Sequence, residues 1–166
     1  MGVDVTDERE TTTASAARDP LPAVIIAAAV FGWMIISHLV SLVGWVPGSG
    51  ADVGMMSHFG RQVMLESLPF AAGVFLVLWL LPVRSGDRLL LVLAKGLLAA
   101  AAGATLAAVA GLAFAGIQAG LGWLRDLQHL SPMRLPADIA SVTFAAAPLV
   151  ILAALLVHLV RRGERF

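Results

Sequence analysis

Four apolar runs, Leu21–Val46, Leu65–Val83, Gly96–Leu121 and Ile139–Val160, constrain this chain more than any other feature. Each is near or beyond the roughly 20 residues that a helix needs to cross about 30 Å of hydrocarbon. In lipid the backbone has no water to bond, so such runs must satisfy their own N–H and C=O groups as helices. Composition agrees: 59% of the 166 residues are hydrophobic and 13% charged, with a mean hydropathy of +0.89. A soluble domain carries about a quarter charged residues. The expected fold is an all-α integral membrane protein, a bundle of four transmembrane helices near 20–46, 65–83, 88–121 and 136–162.

Punctuation residues set those bounds. Asp19-Pro20 reads as a cap and first turn, and Pro47-Gly48-Ser49-Gly50 as a stop. Trp45 reads as an aromatic anchor at the membrane boundary. The second span has Pro69 near its start and Pro82 at its close. The turn Arg84-Ser85-Gly86-Asp87-Arg88 is short, which makes the second and third spans antiparallel neighbours, with Asp87 the expected cap of the third. The fourth span starts near Pro136, with Asp138 beside the positive end of the helix dipole, and Gly163 terminates it. Pro148 predicts a kink or a local packing defect within it.

Residues 1–18 are polar and Thr-rich without apolar period, and read as a disordered cytoplasmic tail before a membrane domain over 19–162. Residues 163–166 form a short C-terminal tail. The first run is too long for a signal peptide and lacks a basic segment before it, so it reads as a span. The heavy use of Ala, Leu, Val and Gly fits a bacterial protein, and the location expected is the cytoplasmic membrane.

Formal net charge is zero, so no basic field points to nucleic acid; the partner expected first is the lipid bilayer. The distribution of cations sets orientation. With the N-terminus inside, Arg9, Arg18, Arg84, Arg88, Lys95, Arg161, Arg162 and Arg165 are cytoplasmic, and only Arg61, Arg125 and Arg134 lie outside. Positive charge favours the cytoplasmic side, so both termini are expected there. The chain has no cysteine, which removes disulfides, thiolate metal sites and cysteine nucleophiles.

Both connections on the expected outer side are amphipathic. At about 100° per residue, Met55, Met56, Phe59 and Val63 share one arc of a helix over 53–66, and Ser57, His58, Arg61 and Gln62 the other. Trp123, Leu124, Leu127 and Leu130 oppose Arg125, Gln128 and His129 in the same way. Two short interfacial segments are expected. A copper site is the competing reading, because thioether and imidazole ligands suit Cu(I). Its candidates are Met55, His58 and His129, with Met133 or His38 as further ligands, but no regular Met or His spacing supports it. Methionines packing at the membrane boundary is the plainer explanation.

In the third span Ala99, Gly103, Ala107, Gly111, Ala115 and Ala119 recur every four residues. Small residues let helix backbones approach closely in lipid, so a partner helix is expected along this face, from this chain, a second copy or another subunit. His38 shares a helix face with Met34, Ser41 and Trp45 and lies about 12 Å below the end of its helix. Intramembrane ionisable residues mark functional sites by default. The plainer reading is a neutral histidine bonded to Gln118. Glu66 is placed to pair with Arg61 or His38, and with Gln118, Ser141 and Thr143 outlines an outward polar pocket. His158 lies at the opposite depth from His38, which excludes one haem between them. No cofactor is specified.

There is no His-Glu-x-x-His, Gly-x-Ser-x-Gly, phosphate loop or intramembrane carboxylate pair, so the chain is not expected to be an enzyme by itself. The first functional expectation is an accessory or scaffold subunit that packs through the third span's small-residue face, as a homo-oligomer or in a larger membrane complex. The second is a small transporter or ligand-binding membrane protein using a pocket near His38, Glu66 and Gln118. The third is copper handling at the outer face.

Overall fold

The structure is a computed structural model that describes residues 20–45, 53–84, 86–120 and 134–163. The elements it contains among these residues are helical: α1 (Leu21–Trp45), α2 (Val53–Gln62), a π-turn (Val63–Ser67), α3 (Leu68–Leu80), α4 (Leu89–Ala119) and α5 (Arg134–Gly163). Four helical segments are long and apolar enough to cross a membrane: Leu21–Leu42, Met56–Leu80, Leu89–Gln118 and Leu135–Gly163. The chain therefore folds as a multi-pass membrane bundle.

The helices form a closed ring. α4 packs against α3 on one side and α5 on the other, and α1 closes the ring against α3 and α5. The centre holds Ile26, Val30, Phe70, Val74, Leu78, Val92 and Val150, all essentially inaccessible. Lipid is as apolar as these side chains, so close packing and hydrogen bonding hold the helices together. Glycines supply the closest approaches. A Cβ on Gly103 would come 2.8 Å from Phe70 O and 3.1 Å from its ring, and one on Gly96 would come 2.9 Å from Ile151 Cγ1.

Helix ends follow the sequence with local differences. The Val24 N–H bonds Pro20 O at 3.0 Å, so the chain enters α1 at the expected proline. α4 stops at Ala119 because Gly120 turns to φ +58 and sends its N–H back to Gly116 O. Only glycine adopts that backbone readily. α5 already includes Arg134, two residues before Pro136, so Asp138 lies beyond its first turn, where the dipole has weakened. The helix runs unbroken through Pro148, which is exposed.

The largest difference lies before the second span. An amphipathic helix is present at Val53–Gln62, but no break separates it from α3. Gln62, Ser67 and Leu68 all keep right-handed helical dihedrals, and the Leu68 N–H reaches back five residues to Val63 O. Pro69 explains the wide turn: it has no N–H to give Leu65 O, and its ring would strike that carbonyl in a regular helix. Inserting a π-turn lets the helix continue past the proline. The N-terminal tail and residues 121–133, with the second amphipathic segment, lie outside the described residues.

Candidate functional site

A cavity of about 590 Å³ opens at the end of the bundle where α4 stops and α5 starts. The π-turn contributes Leu65 and Glu66, α2 contributes Arg61, α3 Phe70 and α1 Met34. One wall is α4, from Ala104 through Ala107, Ala108, Gly111, Leu112, Phe114 and Ala115 to Gln118; the other is α5, with Leu135, Asp138, Ile139 and Val142. At 1.5 Å per residue the α4 wall is about 21 Å long. The four polar residues, Arg61, Glu66, Gln118 and Asp138, are exposed. The deep end, at Phe70 and Ala104, is buried and apolar. The cavity is thus polar toward the helix ends and hydrocarbon-like toward the membrane interior.

Among the described residues, Arg61, Glu66 and Asp138 form no salt bridge with one another or with any other group. The pairing of Glu66 with Arg61 or His38 expected from the sequence is not made. Two carboxylates and one guanidinium therefore line a single cavity unneutralised by each other.

Glu66 and Gln118 both line this cavity, whereas His38 is not among its lining residues. His38 lies one helical turn beyond Met34, partly buried, and its Nε2 is buried with no hydrogen-bond partner, so the expected bond to Gln118 is absent. Ser67 Oγ is the second such atom. Other hydroxyls bond a carbonyl three or four residues back: Ser57 to Gly54 O and Ser141 to Asp138 O, both at 2.8 Å, and Ser41 to Ser37 O, Thr105 to Ala101 O and Thr143 to Ile139 O, at 3.0, 2.8 and 2.7 Å. Ser67 lies in the π-turn, where Val63 O accepts from Leu68 N–H, and its hydroxyl makes no such bond. A buried polar atom left unpaired costs about 1–3 kcal/mol. Wide helical turns of this kind recur at functional sites.

The small-residue face of α4 divides in two. Ala99 and Gly103 are buried within the chain's own fold, with Gly103 against Phe70 and Gly73 of α3. Ala107, Gly111 and Ala115 instead line the cavity, and a Cβ on Gly111 would meet nothing within 4 Å. Ala119 closes the helix. An outside partner is not needed to explain the glycine at 103.

For metal, no group of three His, Cys, Asp or Glu gathers closely enough to hold an ion among the described residues. His58 and Met56 are both exposed on α2. The Met55 side chain, His129 and Met133 lie outside the described residues.

At the opposite end of the bundle stands a polar cluster that sequence reasoning missed. Asp87 does not cap α4; Arg88 is the cap residue, with extended backbone and no side-chain bond. Asp87 Oδ2 instead accepts from Lys95 Nζ at 2.6 Å and from Arg84 N–H at 3.0 Å. Lys95 also donates to Pro82 O at 2.8 Å, and the buried His158 lies 3.2 Å from Arg84 O through Nδ1. A carbonyl only accepts, so that nitrogen carries the hydrogen. Burial raises the Asp87 carboxyl pKa, but the Lys95 hydrogen bond, the Arg84 N–H and the charges of Lys95 and Arg84 outweigh it, leaving it below the ordinary 3.8. The available signal was Lys95 itself, a cation at the edge of an apolar run with an acidic residue, Asp87, eight residues before it.

No protein-family model, curated protein or solved structure matches this chain. The class its fold defines is a four-span helical membrane bundle with an inter-helical cavity at one end.

Proposed function

We propose that this chain is a small protein of the cytoplasmic membrane that binds an amphiphile, with the apolar tail between α3, α4 and α5 and the polar head among Arg61, Glu66, Gln118 and Asp138. The observation that carries this reading is the polarity gradient along one cavity. Its volume falls in the range of about 300–1,000 Å³ usual for ligand sites. Its α4 wall, about 21 Å long, exceeds the roughly 15 Å depth of one leaflet of a 30 Å hydrocarbon core. A single acyl chain suits that shape better than a compact solute does. In this reading both termini are cytoplasmic, following the excess of cations on that side, and the cavity mouth faces the opposite side. Arg61 and the polar arc of α2 then lie at the outer membrane surface, with Met56 and Phe59 directed to lipid.

A lipid with a photoactivatable group in its acyl chain tests the assignment. Labelled peptides are expected to concentrate at 104–115 and 139–142. Labelling spread evenly over lipid-facing positions such as Leu90, Leu152 and Leu156 would remove the basis for a site.

A further inference from the structure

Resting on that reading, we infer that the head group bound at the cavity mouth is zwitterionic, a phosphate carrying a primary ammonium, as in phosphatidylethanolamine. Charge complementarity selects it. Among the described residues the mouth offers one guanidinium, Arg61, and two carboxylates, Glu66 and Asp138, with Gln118 as a neutral donor and acceptor. None of the three charges is neutralised by a salt bridge among the described residues. An anionic head group such as phosphoglycerol gives Arg61 a phosphate but leaves both carboxylates facing an anion. A phosphoethanolamine head supplies both complements: its phosphate accepts from the Arg61 guanidinium, and its ammonium donates to Glu66 and Asp138. Exposed ion pairs are individually weak, so selectivity comes from their sum and from the removed repulsion.

The test titrates phosphatidylethanolamine and phosphatidylglycerol of identical acyl chains into the delipidated full-length protein in detergent, reading binding by native mass spectrometry. About 10-fold tighter binding of phosphatidylethanolamine is expected, the ratio that a modest net gain from two or three such pairs gives. In Glu66→Gln/Asp138→Asn the preference is expected to vanish while phosphatidylglycerol still binds, and Arg61→Gln should weaken both lipids. Melting temperature without lipid checks that each variant folds. Equal binding of the two lipids, or a preference unchanged in the double variant, overturns the head-group inference and leaves the amphiphile site standing. Failure of both lipids to bind overturns both.

Discussion

Gly73 of α3 and Gly103 of α4 meet backbone to backbone: a Cβ on Gly73 would sit 2.7 Å from Gly103 Cα and 2.8 Å from Ala102 O. Real side chains do not approach a backbone that closely, so the two helices are held at a separation only glycine permits. That contact lies just beyond the deep end of the cavity, where Phe70 is pressed against Gly103. It sets how closely α3, which carries Phe70, stands against the α4 wall.

Gly73→Ala and Gly103→Ala are each expected to destabilise the bundle by about 1–3 kcal/mol, because rigid backbone must move to admit the methyl group. Gly111→Ala, on the same face of α4 two turns away, meets open space and should leave stability unchanged or slightly raised. Thermal unfolding of the three variants in one detergent checks this. Equal losses at positions 103 and 111 would mean that the face packs uniformly against something else.

The Asp87–Lys95 pair joins the α3–α4 turn to the first turns of α4 at side-chain exposures of 12% and 13%. Asp87→Asn is expected to cost about 2 kcal/mol at neutral pH, the scale of a hydrogen bond to a charged group. The sign of the pH effect follows from the lowered carboxyl. Its contribution is complete above the unfolded-state value and is lost as pH falls through the folded one, below 3.8. The gap between native protein and Asp87→Asn should therefore be constant from neutral pH down to about 5 and close only in strong acid. A gap that closes near neutrality would assign it to another group.

His158→Phe keeps the volume of a buried side chain and removes one donor to Arg84 O. That carbonyl still accepts from Asp87 N–H at 3.1 Å, so it is not orphaned. The expected loss is at the low end for a hydrogen bond, about 1 kcal/mol. Denaturant titration of the two proteins measures it; a loss above about 3 kcal/mol would point to a buried network larger than this one bond.

The four spans were legible because a run of about 20 apolar residues admits few other folds. The boundary between α2 and α3 was not. A helical wheel assumes a constant 100° step, and the π-turn before Pro69 breaks that step without breaking the helix. Glu66 and Gln118 could be paired from their shared depth. Arg61 and Asp138 were missed as cavity residues because a wheel and a dipole argument each assign a charge to one helix, whereas the cavity exists only between helices. The same limit explains the small-residue face: spacing shows that something must approach Gly103, but only the assembled ring identifies it as Gly73 and Phe70. His38 shows the same limit, since the hydrogen bond to Gln118 expected from the sequence is not made.

The most direct test of an amphiphile site compares the native protein with Gly111→Leu, which adds an apolar side chain to the cavity wall where a Cβ meets nothing within 4 Å. Both are assembled in lipid nanodiscs, released, and weighed by native mass spectrometry. The native chain is expected to retain one lipid, and Gly111→Leu to lose it with an unchanged melting temperature in the lipid-free state. Equal lipid retention by the two proteins would contradict a binding site in this cavity.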